Sequence, residues 1–335
     1  MPGSRKICQR FREWQLFIKD RIDIRREFVS SFDMLKIPVR QILKTLLAAL
    51  SLAAPAEAVI LFGLDNSSNR TNPGTGVPFD AVGLITDAGR VSPMGSAIHL
   101  GGGYMLTANH VFMQPYVTFD GTTFYNRDLS FTPRQVAPNV DMQIFKLSST
   151  PTVGAVNLYS GSSEQIAPAT LVGWGVGRNP TVPVDSASVN WGAFSTSEKR
   201  WGTNVPRDLV GIAYQSGGYT AIRTALGSDS GLPAGVGDNE AAATMIDSGS
   251  GLFQNISGTW YLIGLTTGVE AVNTSRFGND AVSGVGKGDA NYFVRISAYR
   301  SNIVGLIPEP STALMFVFAL PPLLKRTRKV EMQKK

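Results

Sequence analysis

The sequence predicts an all-β protein, and three observations point that way. Short runs of alternating or β-branched residues recur at residues 95–100, 104–108, 116–119, 142–147, 170–174, 209–214, 251–254 and 260–266, separated by Gly, Pro, Asn and Asp. This is strand periodicity punctuated by turn chemistry. No long stretch with a 3.6-residue period precedes the end of the core; a helix is predicted only at 296–304, where Tyr299 and Ile303 share a face at i and i+4. The chain is also rich in turn formers (35 Gly, 19 Pro) and poor in charge (17%), with an ordinary 43% hydrophobic share that suits a packed core rather than a disordered chain. Many short strands at close spacing mean a sandwich or barrel, and a core of 249 residues has room for two barrels in tandem.

The boundaries of that core follow from charge. Residues 1–58 hold 11 Lys and Arg against 6 Asp and Glu, and residues 308–335 hold 6 against 2, so residues 59–307 keep 14 against 17 and carry −3 of an overall +6. The basic character belongs to the ends, and no nucleic-acid partner is expected of the core. The sole cysteine, Cys8, also lies outside it, which leaves the core without a disulfide, a thiolate nucleophile or cysteine metal ligands.

The N-terminal end reads as an export signal. From Met34 a basic segment with Lys36, Arg40 and Lys44 leads into apolar residues 46–54 and then Ala56-Glu57-Ala58. Basic region, short apolar region and A-x-A ending are the three parts of a secretory signal peptide over 34–58, with cleavage after Ala58 by signal peptidase and passage through the Sec translocon. The apolar run is too short to span a bilayer. Residues 1–33 are either an extended basic region or lie upstream of a true start at Met34.

At the other end, Pro308-Glu309-Pro310 precedes apolar residues 313–324 and the cluster Lys325-Arg326-Thr327-Arg328-Lys329. This resembles the PEP-CTERM sorting signal. The resemblance implies handling by an exosortase-type membrane enzyme, with transient membrane contact through 313–324 and the basic tail on the cytoplasmic side. A plain C-terminal anchor would have the same orientation. Both readings place residues 59–307 outside the cytoplasm: periplasm, cell surface or medium.

Within the core, three segments carry chemistry. His110, one of two histidines, ends the strand that follows the Gly101-Gly102-Gly103 turn. Asp141 stands immediately before the alternating strand Met142-Gln143-Ile144-Phe145, and Ser248 sits in the turn Asp247-Ser248-Gly249-Ser250 ahead of another strand. Singly, these read as a structural histidine, a turn-capping aspartate and a turn serine. Together they supply a hydroxyl, an imidazole to take its proton and a carboxylate to fix the imidazole's tautomer.

In that order the segments resemble the chymotrypsin-like (trypsin-fold) serine proteases. Leu106-Thr107-Ala108-Asn109-His110 resembles the family's Thr-Ala-Ala-His motif, residues 141–147 its Asp-Ile-Ala-Leu-Leu motif and residues 247–250 its Gly-Asp-Ser-Gly-Gly motif; Gly173-Trp174-Gly175 and residues 292–299 are secondary matches. The resemblance implies two tandem six-stranded antiparallel β-barrels with a short C-terminal helix and the site in the cleft between them. It also implies Ser248 as nucleophile, His110 as general base and acid, Asp141 as orienting carboxylate, a protein or peptide substrate and no cofactor. The backbone N–H groups of Ile246 and Ser248 would form the oxyanion hole.

The sequence departs from the family at Ile246, where glycine is usual, because a β-branched side chain restricts the backbone that must aim its N–H into the hole. A catalytically weakened binding module is therefore the alternative to an active endopeptidase. Ser230, in Ser228-Asp229-Ser230-Gly231, is a rival nucleophile, but only Ser248 is followed by the strand pair the family places there. The activating N-terminus of the family, Ile-Val-Gly-Gly, has no counterpart; cleavage after Ala58 exposes Val59-Ile60-Leu61-Phe62.

The resemblance implies Ala242 at the base of the primary pocket, with Thr266, Thr267 and Gly268 along the cleft wall. His99 reads as a strand residue rather than a ligand, no metal site is expected, and Asp238-Asn239-Glu240 reads as a solvated turn in preference to a calcium loop. With no carboxylate at Ala242 to pair a basic side chain, Ala or Leu ester substrates are expected to be cleaved faster than Arg esters. Comparing kcat/KM across that series checks the expectation, which a preference for Arg would contradict.

Overall fold

The computed structural model describes residues 59–61, 67–164, 167–179, 188–193, 197–226, 239–270, 274–276 and 289–308. Residues 1–58, with the expected signal peptide, residues 309–335, with most of the expected sorting signal, Ser230 and Asp238 lie outside the described residues.

The first barrel is built from β1 (Val82–Thr86), β2 (Gly95–Gly101), β3 (Tyr104–Thr107), β4 (Tyr116–Thr118), β5 (Phe124–Asn126) and β6 (Gln143–Lys146), hydrogen-bonded in the order β5-β4-β1-β2-β3-β6, all antiparallel. It closes where Arg127 bridges Leu147, with Asp128 N–H donating to Lys146 O at 2.8 Å and Ser148 N–H to Asn126 O at 2.9 Å. A short strand, Arg134–Gln135, lies on the outer edge of β6.

The second barrel comprises β7 (Ala169–Gly173), β8 (Arg200–Asn204), β9 (Asp208–Tyr214), β10 (Gly217–Ala225), β11 (Gly251–Ile256), β12 (Thr259–Val269) and β13 (Ala290–Arg295), in the order β8-β7-β11-β12-β13-β10-β9. Its closure is a corner. β8 pairs with β7, and β9, which follows after three residues that include Pro206, pairs with β10. Proline has no N–H for the ladder, so the chain bends there and one long strand changes partners. Asn204 Nδ2 ties the corner to Ala225 O at 3.1 Å and Ala241 O at 2.7 Å. With β8 and β9 taken as one bent strand, each barrel has the six strands expected.

The period of two decides which residues meet. In the first barrel Leu84, Ile98, Leu106 and Ile144 join a cluster shared with second-barrel residues such as Val172, Phe253, Leu265 and Val294. Their neighbours Ile85, Ala97, Met105 and Phe145 form a cluster of first-barrel residues alone. Leu171, Ile222, Leu252, Ile263 and Phe293 are the counterpart in the second barrel. Both faces of these strands are buried, which is why the sequence reads there as apolar runs more than as clean alternation.

Trp174 links the barrels: its backbone N–H donates to Ser96 Oγ at 3.1 Å and its indole N–H to Val82 O at 3.0 Å. Lys199 and Arg90 lie over its ring at 5.5 and 5.3 Å. The predicted helix is α1 (Ile296–Leu306), two residues longer than the sequence suggests, with Ile296 and Ile303 buried.

Glu164 anchors α1. Its carboxylate, 1% exposed, accepts from Arg295 Nε at 2.8 Å and Nη2 at 3.1 Å and from the Ser297 hydroxyl at 2.6 Å, in the first turn of the helix. Burial raises its pKa, but the Arg295 and Ser297 hydrogen bonds outweigh it and hold the group below the usual carboxylate range. A carboxylate whose folded pKa is depressed adds stability above its unfolded pKa and loses it as pH falls through the folded value. Glu164→Gln is expected to cost about 2–4 kcal/mol at neutral pH, discounted for the partial exposure of Arg295. Urea unfolding at pH 7 and pH 3 checks this: the gap between variant and wild type should shrink in acid.

Candidate active site

The first barrel supplies an imidazole and a carboxylate. His110 follows β3 in a turn where Val111 N–H donates to Ala108 O at 3.1 Å, and the Gln143 side-chain amide donates to Ala108 O at 3.2 Å and Asn109 O at 3.3 Å. Asp141 enters β6 after Asn139, whose φ of 61° turns the chain. The Asp141 carboxylate, 1% exposed, accepts from the His110 backbone N–H at 3.0 Å and from His110 Nδ1 at 2.6 Å. A carboxylate only accepts, so the ring proton sits on Nδ1 and Nε2 keeps a lone pair. Burial would raise the Asp141 pKa, but the neighbouring His110 and the hydrogen bonds from His110 and Thr267 hold it below the usual range.

The second barrel supplies the hydroxyl. Ser248 lies in a tight turn in which Asp247 N–H donates to Thr244 O at 3.2 Å and Ser250 N–H to Asp247 O at 2.7 Å. His110 Nε2 and Ser248 Oγ are 2.8 Å apart across 138 residues of sequence. The three residues singled out from the sequence therefore form one unbroken line of hydrogen bonds, and His110 is only 7% exposed within it.

Ile246 is 2% exposed and has φ 73°, the left-handed region where glycine is at ease. The sequence predicts that a β-branched side chain resists such a backbone; the structure adopts it nonetheless. Left-handed geometry costs an L-residue about 1–2 kcal/mol, and burying an isoleucine gains about 1.5–3 kcal/mol. Packing in the shared core thus offsets the strain. Among the described residues the N–H groups of Ile246 and Ser248 donate to no protein acceptor.

Asp247 is fully buried. Its oxygens accept from Gly175 N–H at 2.8 Å and Thr244 N–H at 2.8 Å, both neutral donors, while the Thr244 hydroxyl, 3.1 Å away, gives its one proton to Val176 O at 2.6 Å. Space explains the Gly173-Trp174-Gly175 motif: a Cβ at Gly173 would stand 2.1 Å from Asp247 Oδ1, and one at Gly175 2.2 Å from Oδ2. Ile60–Leu61 form a two-residue strand against Ala241–Ala242, ahead of the serine turn.

The residues assigned to substrate fare unevenly. Ala242 is buried in that short strand. Thr266 is buried with its hydroxyl 2.6 Å from Ser250 Oγ, and the Thr267 hydroxyl donates to Asp141. Both hydroxyls are thus bonded to protein groups, Thr266 to the serine two residues after Ser248 and Thr267 to the carboxylate partner of His110. Gly268, at a bulge opposite Tyr292, is half-buried.

His99 lies in β2 with Nδ1 3.1 Å from Val153 O. Glu240 does not lie in a solvated turn: it is 3% exposed and bridges Thr203. The sequence reading gave Thr267 to the cleft wall and missed Tyr219 and Tyr214; all three stand behind Asp141. No local motif marks them; a pair of threonines inside an apolar strand is the one hint.

No family profile and no curated protein matches the chain. Among solved structures the chain is similar to the inactive form of the Rv3671c protease, with 11% identity, 76% of this chain and 100% of that one covered, and a TM-score of 0.45. It is also similar to a mutant of Rv3671c from M. tuberculosis H37Rv, likewise inactive, with 12% identity, coverage of 73% and 96%, and a TM-score of 0.43. A third similar structure is that of HBP, with 13% identity, coverage of 72% and 96%, and a TM-score of 0.44.

Burial, opposed by the hydrogen bonds from Thr244 and Gly175, pushes the Asp247 pKa up to about 7 from a starting value of 3.8. Here the folded state holds a proton that the unfolded chain releases, so stability falls as pH rises through that window and stays lost above it. Asp247→Asn removes the effect. The melting temperature of the variant relative to wild type is expected to rise from pH 4.5 to pH 7.5, and a difference that does not change with pH would refute the assignment.

Proposed function

We propose that the chain is an exported serine endopeptidase acting through an acyl-enzyme. The observation that carries this reading is the line Ser248 Oγ, His110 Nε2, His110 Nδ1, Asp141 Oδ2, with separations of 2.8 and 2.6 Å at its two hydrogen bonds. Ser248 attacks the scissile carbonyl while His110 takes its proton, and Asp141 stabilises the imidazolium that forms. The developing oxyanion accepts from the N–H groups of Ile246 and Ser248. Collapse breaks the C–N bond, His110 protonates the leaving amine, and a water deprotonated by His110 then hydrolyses the ester. This chemistry uses no cofactor. The signal at 34–58 and the sorting segment at 308–335 support export through the Sec translocon and processing by signal peptidase and an exosortase-type enzyme, with the peptidase core working at or beyond the cell surface.

The second reading is a catalytically weakened surface-binding module, and Ile246 is the observation that favours it. Fluorophosphonate labelling of the full-length protein separates the two. Wild type is expected to label and Ser248→Ala to lose labelling entirely, whereas loss in Ser230→Ala instead would move the nucleophile. If Ile246 closes the oxyanion hole, Ile246→Gly should raise turnover by about a hundred- to a thousandfold. The left-handed backbone already present at Ile246 leads us to expect a change of less than about tenfold.

A further inference from the structure

The hairpin of β9 and β10 belongs to the second barrel, yet its tip grips the first. Asn109 Nδ2 donates to the Tyr214 hydroxyl at 3.0 Å, and Ser216 donates to Asn139 Oδ1 from its N–H at 3.2 Å and its hydroxyl at 3.0 Å. Asn109 immediately precedes His110, and Asn139 stands two residues before Asp141. Three residues beyond the tip, on β10, Tyr219 is 6% exposed and its hydroxyl is 2.8 Å from Thr267 Oγ1. The Tyr214 and Tyr219 rings meet edge to face at 6.0 Å.

The direction of the bonds in this cluster follows from counting protons. Thr267 has one hydroxyl proton, and it goes to Asp141, which only accepts. The bond between Tyr219 and Thr267 must then be donated by Tyr219. A threonine hydroxyl is otherwise a free rotor, and the phenol takes up its lone pair and leaves its proton committed to the carboxylate. Burial, and after it the Asp141 charge, raises the pKa of both phenols, Tyr214 to about 12, so both stay protonated and remain donors.

We propose that Tyr219 is a positioning residue for the His110–Asp141 pair, acting through Thr267, and that the β9–β10 hairpin is the clamp by which the second barrel holds two first-barrel residues in register with Ser248. The proposal rests on the role given above to that pair. Its logic is one of distance. His110 and Asp141 come from one barrel and Ser248 from the other, so small rotations between barrels would lengthen the His110–Ser248 bond unless something from the second barrel also holds the pair.

The test is a cycle of Tyr219→Phe, Thr267→Val and the double variant in the full-length protein, with Thr267→Ser as the variant that keeps the hydroxyl. Ester hydrolysis gives kcat and KM, and the His110 Nδ1–H proton resonance gives a reading that needs no turnover. The chain has two histidines, so a His110→Gln sample assigns the signal. Tyr219→Phe is expected to lower kcat about three- to tenfold with KM unchanged and to broaden the resonance, as loss of one donor in a charged network predicts. Thr267→Ser, which restores the hydroxyl, should recover most of the kcat and the resonance lost in Thr267→Val, and Tyr219→Phe should add nothing in the Thr267→Val background. An unaltered kcat and resonance in Tyr219→Phe overturn the proposal, as does an equal loss in the Thr267→Val background, which would place the effect in packing. If the wild type hydrolyses nothing, the endopeptidase reading fails, while the resonance still decides whether Tyr219 positions His110.

Discussion

The site depends on a place where the two barrels touch backbone to backbone. Ser96 N–H donates to Ser248 O at 2.8 Å, so the residue carrying the hydroxyl is held by the opposite barrel. Such an approach leaves no room for side chains. A Cβ at Gly95 would lie 2.9 Å from Ser248 O, and one at Gly249, where φ is 86°, would lie 2.2 Å from Ser96 O. Glycine at both positions is the condition for Ser248 to stand within reach of His110. Trp174, bonded to Ser96 and Val82, secures the same seam from the side.

Around that seam, buried carboxylates are stabilised in different ways. Asp141 is held charged by His110 and by hydroxyl and amide donors. Glu164 is held charged by a bidentate arginine and fastens the terminal helix. Asp247 receives only neutral donors, and burial prevails there. One functional group, the carboxyl, therefore serves as partner to an imidazole, structural ion and proton-holding turn anchor, according to what packs against it.

The chemistry-bearing segments were legible because their local requirements are strong. A histidine just past the end of a strand, an aspartate opening an alternating strand, and a serine in a Gly-flanked turn each declare themselves within ten residues. The strands were legible too, wherever alternation or a bounded apolar run marked them. Ile246 shows where local reasoning stops: a β-branched residue is a poor choice for a left-handed backbone, and only the shared core, which buries its side chain, makes the position tenable. Glu240 shows the same, since a charged residue in an acidic turn reads as solvated until the edge that covers it is known.

By itself, then, the sequence determined the strand-rich class, the placing of the excess positive charge at the two ends, and the order histidine, aspartate, serine. These are properties of periodicity, composition and short motifs, which act over a few residues. Tertiary structure alone decided that the Thr267 hydroxyl goes to Asp141, that Tyr219 stands behind Thr267, and that the β9–β10 hairpin crosses to the other barrel. Those contacts join residues 48 to 126 positions apart, and their geometry is set by which parity of each strand faces the shared core.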